Sequence, residues 1–238
     1  MSNHQLTPRD MVALTILAEM YGAPMDRVVT MLGGHGPNAY RSVAKWRKLR
    51  MASDLKMRPV PGPSWVLPSK QAVDVLLPFG ARFWTPTPKM AAHVTAVVDL
   101  RLALVGLDME RWVCERELRS QVGPVKAGQS RPHIHDGQYW DDEGRLWAVE
   151  VELSQKKGAA IKTAVAKAKH AATAADCAGV LYFCRSRETR NGVLSAARYL
   201  ADMSGPPIRV IDLDEALHGT TPRPRPRLTV IEGGASVA

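Results

Sequence analysis

The sequence predicts a chain of mixed α+β (α/β) class. A mainly helical N-terminal domain fills residues 1–88, a mixed-sheet α/β domain follows over 89–218, and an extended tail runs from 219 to 238. Three observations point there. Apolar residues recur at helical spacing through the first fifty positions. A stretch with two prolines, Gly80 to Lys89, breaks that pattern and reads as a linker. Beyond it helical and strand-like periods alternate, the pattern of a layered fold whose sheet is mixed rather than purely parallel.

Thr7-Pro8-Arg9-Asp10 reads as a helix start. Thr7 can cap, Pro8 suits the first helical position, and Asp10 can reach back as in a capping box. Leu14, Leu17 and Tyr21 continue at helical spacing until Gly22. A short second helix runs from about Pro24 to Leu32. Gly33 to Pro37 is a turn, and a third helix follows from Asn38 to about Arg50 with Ala39, Val43, Trp46 and Leu49 as its apolar face. The period then changes. Leu55 to Arg58 and Trp65 to Leu67 read as two strands around the turn Pro59 to Pro63, and Pro68-Ser69 opens another helix. Three helices followed by a two-stranded ribbon is the layout of a winged helix-turn-helix.

In the second half, Met90 to Val105 reads as a strong helix. Trp112 to Glu115, Ile134 to Trp140 and Leu146 to Leu153 read as strands, the last two joined by the turn Asp141 to Gly144. A long Ala/Lys helix, Gly158 to Ala175, is followed by a short buried strand, Gly179 to Cys184, a helix from Gly192 to Met203, and a last strand, Ile208 to Leu213. The tail alternates Pro and Arg from Thr220 to Arg227, which predicts an extended, mobile segment.

Composition narrows the function classes. Hydrophobic residues make up 45% and charged residues 23% of 238, which excludes a wholly disordered chain. No apolar run approaches a membrane span, and residues 1–10 are too polar for a secretory leader. Three cysteines without a Cys-x-x-Cys pair argue against a disulfide scaffold or a cysteine-built zinc site, so Cys114, Cys177 and Cys184 are expected in the core of a cytoplasmic protein.

Charge is more informative. Residues 1–89 carry 12 Lys/Arg against 5 Asp/Glu, a net of +7, whereas residues 90–238 carry 20 against 18, a net of +2. A basic module joined to a nearly neutral one points to a polyanion-binding head, with double-stranded DNA as the expected partner. Arg41, Lys45 and Lys48 form one helical stripe away from Val43 and Trp46, flanked by Arg47 and Arg50. Asn38, Tyr40 and Arg41 at the start of that helix are placed to reach bases, and Lys56 and Arg58 on the ribbon to reach adjacent phosphates. The alternative is a solvated basic face, or a helix used for protein contacts.

The second domain carries a group of carboxylates. Along Leu146 to Leu153, the residues Trp147, Val149, Val151 and Leu153 point one way, and Ala148, Glu150, Glu152 and Ser154 the other. Two carboxylates on one strand face repel unless a cation or base lies between them. Asp136, at the end of the preceding strand, comes alongside if the two strands pair antiparallel. Asp136, Glu150 and Glu152 would then be a hard-oxygen site for Mg²⁺ or Mn²⁺, with Lys156 adding positive charge at a phosphate. A solvent-facing acidic edge strand explains the same spacing. His133 and His135 also alternate; with no clear third ligand they read as support for the carboxylates or as strand residues rather than a zinc pair.

These stretches carry a family likeness. Leu6-Thr7-Pro8-Arg9-Asp10, Trp112 to Arg119, His135-Asp136-Gly137 and Val149-Glu150-Val151-Glu152-Leu153-Ser154 resemble the replication-relaxation family of actinobacterial plasmids and mobile elements. The second half also looks like a PD-(D/E)xK nuclease fold. The resemblance implies a winged helix joined to a nuclease-like domain that nicks or relaxes DNA, with Asp136 as first acid, Glu150 as second and Glu152 where lysine is usual. It implies Lys156 as a substitute base and Asp99 as an additional acid. The glutamate in lysine's place keeps a second expectation open: a replication or transcription regulator whose nuclease-like domain forms a homodimer or binds another partner without cutting.

Overall fold

A computed structural model describes residues 5–124, 128, 131–156, 158–218 and 229–231. Its class is mixed α+β, and the chain divides into two compact units, Met1–Glu110 and Arg111–Ala238.

The first unit opens with α1 (Pro8–Glu19). Thr7 accepts from the Asp10 N–H while the Asp10 carboxylate accepts from the Thr7 N–H at 2.8 Å, so the expected capping box is present. Tyr21 and Gly22 end the helix with positive φ. Gly22 must be glycine: at φ 106° a Cβ would also stand 2.7 Å from the Val66 carbonyl oxygen. Next come β1 (Ala23–Pro24), α2 (Met25–Met31) and α3 (Gly36–Lys48), then β2 (Trp65–Val66) and α4 (Lys70–Leu76). The expected ribbon differs in detail. β2 pairs antiparallel with β1 rather than in a regular ladder with residues 55–58. The chain from Ala52 to Met57 still returns alongside it, through an Ala52–Pro68 bridge and the bonds Ser53 N–H to Leu67 O (2.9 Å) and Trp65 N–H to Met57 O (2.9 Å). Leu14, Leu17, Val28, Val43, Trp46, Trp65 and Leu67 are fully or almost fully buried and form the core. Ala18, Val73 and Leu77 seal α1 against α4.

Helix α5 (Pro88–Leu104), expected in the second domain, clusters with the first unit. Arg27 holds Asp99 through two bonds of 2.6 and 2.7 Å, and the buried Arg101 pairs with Glu19.

The second unit is built on β3 (Trp112–Cys114), α6 (Glu115–Val122), β4 (Gly137–Trp140), β5 (Leu146–Glu152), α7 (Ala159–Ala174), β6 (Gly179–Cys184), α8 (Arg187–Tyr199), β7 (Ile208–Asp212), α9 (Leu213–His218) and β8 (Thr229–Ile231). The strands lie in that order in one sheet. β3, β4 and β5 are antiparallel neighbours, β5, β6 and β7 are parallel, and β8 is antiparallel to β7. The mixed sheet is therefore as expected, while α6, α9 and β8 are additions to it. Cys114 caps α6, its sulfur accepting from the Glu117 N–H. β8 falls within the expected tail, and the remainder of that tail lies outside the described residues.

The core of this unit sits where α7 and α8 cover one sheet face. Val165, Ala168, Val193 and Ala196 pack there against Ala148, Val180, Tyr182 and Val210. Small residues on both helices let them lie close to the sheet. All three cysteines are buried and free, as expected; burial pushes the Cys177 thiol up to about 11 and the Cys184 thiol up to about 12. Among the described residues no helix is long and apolar enough to cross a membrane.

Candidate functional site

The β4–β5 hairpin sets the site's register. Its turn is organised by Asp141, whose carboxylate accepts from the Glu143 and Arg145 N–H groups, the Arg145 guanidinium and the Trp147 indole at 2.8–2.9 Å. Burial opposes ionisation there, but those donors outweigh it and hold the carboxyl at about 2. Gly137 pairs with Val149, so β5 extends beyond the end of β4. The Val151 N–H has no further β4 carbonyl to meet. Asp136 takes it instead, its Oδ2 accepting at 2.7 Å.

The face assignment of β5 is the expected one. Ala148 packs in the core under α7 and α8, and Glu150 and Glu152 pair in register with Tyr182 and Cys184 on the neighbouring strand. Trp147, Val149 and Val151 on the other face are buried as well. β5 is thus a central strand covered on both faces, and a solvated acidic edge does not explain the two glutamates.

Their partners separate them. One oxygen of Glu150 is contacted by both histidines, by His133 Nε2 at 2.6 Å and His135 Nδ1 at 2.7 Å. Burial alone would raise the Glu150 carboxyl; the two imidazoles outweigh it and pull it below its ordinary value. Burial would lower His133, and the bond and charge of Glu150 outweigh that and raise it. Glu152, also buried, is paired with Lys156 four residues further along. Among the described residues, His133, His135 and Glu150 are the group of three ligand-type side chains whose donor atoms all lie within 4.8 Å of one another. The expected oxygen triad is therefore sorted differently: Glu150 sits with two histidines, Glu152 with its lysine, and Asp136 on the backbone between them. All three carboxylates still act on Tyr182: burial first and then their charges raise its hydroxyl well above the ordinary value. The two histidines carry more of the site than their sequence signal suggests. That signal is their alternation just upstream of Asp136. Asp99 belongs to the first unit, where Arg27 holds its carboxylate.

Beside the histidines is a cleft of about 840 Å³ with apolar walls, including Leu118 and Ala171, and with Gln138, Lys167 and His170 on its lining.

In the first unit, α3 separates its faces as expected: Ala39, Val43 and Trp46 are buried, and Tyr40, Arg41 and Lys48 are turned outward. Asn38 accepts from Arg41 on the surface. Lys45 is the exception in the basic stripe. Its ammonium bonds to the buried Asp10 at 2.5 Å and to the Gln5 carbonyl, so it is a structural cation. Arg47, Lys56 and Arg58 line one pocket with Met57 and Ser64, and Arg47 also donates to the Ser53 carbonyl.

Comparison with protein-family models, curated proteins and solved structures finds no match to this chain.

Proposed function

We propose that the protein binds duplex DNA through its first unit, a winged helix-turn-helix, and carries in its second a nuclease-like domain for phosphodiester hydrolysis. The observation that carries the hydrolytic part is the anchoring of Asp136 on the Val151 N–H, between Glu150 and Glu152. It joins an acid from the end of one strand to a Glu-x-Glu segment at the centre of the next, and a helix and a parallel strand follow as in PD-(D/E)xK folds. The donor set fits a divalent cation: a partly buried carboxylate with imidazoles beside it and two further acids on the same strand end. Such an ion, Mg²⁺ or Mn²⁺ as the carboxylates suggest, would supply positive charge to a phosphodiester and acidify water. The residues themselves orient this group. Glu150 would be a ligand of the ion, Asp136 fixes the strand end, and Lys156 brings its positive charge to Glu152.

The DNA-binding part rests on Asn38, Tyr40, Arg41 and Lys48 at the outer surface of α3 and on the Arg47, Lys56 and Arg58 pocket. Binding of labelled duplex DNA at several salt concentrations, and cleavage of supercoiled plasmid with Mg²⁺ or Mn²⁺ against an Asp136→Ala control, test the two parts separately. One observation favours a second reading. Glu152 stands where lysine is usual and is already neutralised by Lys156. A regulator that retains the domain for dimerisation or partner binding would bind DNA and leave the plasmid intact.

A further inference from the structure

We propose that His133, His135 and Glu150 form a three-ligand centre for a divalent transition-metal ion of the Zn²⁺ type, rather than a hard Mg²⁺ site. This names the ion class of the site proposed above and rests on the same strand geometry, but it does not depend on DNA cleavage. Two imidazole nitrogens and one carboxylate oxygen converge within 4.8 Å. Imidazole suits Zn²⁺ and its neighbours, whereas Mg²⁺ and Ca²⁺ favour oxygen ligands throughout. Two histidines and a glutamate, with a remaining position open, are a donor set of catalytic zinc sites.

The hydrogen bonding within the cluster supports a ligand role. Two imidazoles directed at a single carboxylate oxygen exceed what one buried acid needs for neutralisation. His135 is 2% exposed, so packing fixes its ring with Nδ1 directed at Glu150. Both histidines line the cleft, so an ion held between them would have an open side toward it. The ligand atoms of each His–Glu pair stand 2.6 and 2.7 Å apart. Bonds of about 2.0–2.1 Å to one ion need them about 3.3 Å apart, so binding asks each pair to spread by only about 0.6–0.7 Å.

The test uses the full chain after treatment with a chelator. Co²⁺ is titrated in with visible absorption as the readout, and Zn²⁺ is followed by calorimetry, with Mg²⁺ alongside. The expected result is one equivalent of Co²⁺ with ligand-field bands, displaced by Zn²⁺ and not by Mg²⁺ at the same concentration. His135→Ala empties a buried position, so the decisive variants are the isosteric Glu150→Gln and the more accessible His133→Ala, each checked by circular dichroism for a native fold. Each should lose Zn²⁺ affinity by at least about 100-fold, the upper end of what loss of a supporting partner alone costs. The proposal is overturned if the parent takes up no stoichiometric Co²⁺ or Zn²⁺. It is also overturned if Asp136→Asn and Glu152→Gln abolish binding while His133→Ala does not. Plasmid cleavage is read separately: metal uptake without cutting removes the hydrolysis reading and leaves this site standing.

Discussion

Asp10 is a single residue on which three parts of the first unit depend. Its carboxylate closes the capping box of α1, accepts the Trp46 indole N–H at 2.8 Å, and holds the Lys45 ammonium at 2.5 Å, all while 2% exposed. Asp10→Ala removes all three interactions. Loss of the reciprocal cap costs about 0.5–1 kcal/mol. Leaving the fully buried indole N–H unsatisfied costs about 1–3 kcal/mol. The Lys45 pair adds about 0.2–1 kcal/mol, because the ammonium can turn to water. These share one carboxylate and are not independent, so the expected loss is about 2–5 kcal/mol. For a domain of about a hundred residues this lowers the melting temperature by at least about 8 °C. Tryptophan fluorescence during thermal unfolding reads it, since Trp46 reports on the site directly. Asp10→Asn keeps an oxygen for the indole and should fall between parent and alanine variant. The pH dependence has a definite sign. Burial alone would raise the Asp10 carboxyl, but the bonds from Lys45, Thr7 and Trp46 outweigh it and hold it below its ordinary 3.8. A depressed folded value means the stabilisation is full above 3.8 and lost as pH falls through the lower folded value. The parent should therefore lose stability on acidification in that window, and Asp10→Asn should lack that share of the loss. An alanine variant that melts with the parent would refute the assignment of Asp10 as the shared anchor.

Three further outcomes follow from the same structure. Arg41→Ala with Lys48→Ala should weaken duplex binding and flatten the slope of log affinity against log salt by about 0.9 for each phosphate no longer neutralised, whereas Lys45→Ala should chiefly lower stability; an unchanged slope in the double variant removes α3 as the phosphate-binding face. Trp46→Ala should destabilise the first unit by about 3–5 kcal/mol in chemical denaturation, because the ring is fully buried; a variant as stable as the parent that no longer binds DNA would instead make Trp46 a DNA-contacting residue. Gly179→Ala in β6 should cost about 1–3 kcal/mol and perturb near-UV circular dichroism, since a Cβ there would meet the Trp147 ring at 2.4 Å and the Pro207 carbonyl at 3.0 Å; a parent-like spectrum and melt would show that the ring has room to move.

What the sequence determined by itself is local and periodic. The Thr7–Asp10 cap, the apolar face of α3 and the alternation along β5 each depend on residues within a turn or a strand of one another, and all are present, with Leu49 of the expected face half-buried at the helix cap. Glu150 and Glu152 share a face for the same reason: side chains alternate along any strand. Partner choice is another matter. That Lys45 turns inward depends on Asp10 35 positions earlier, and that Asp99 belongs to Arg27 depends on a residue 72 positions away. No periodicity carries such information. The same holds at the candidate site. Spacing puts Asp136, Glu150 and Glu152 together by charge, but tertiary structure decided that β4 begins only at Gly137, leaving the Val151 N–H for the Asp136 carboxylate. It also brought His133 and His135 beside β5, so that two imidazoles of modest sequence signal reach one carboxylate oxygen. A buried charge takes whichever donors the fold brings within about 3 Å, and that distance is set by packing rather than by position in the chain.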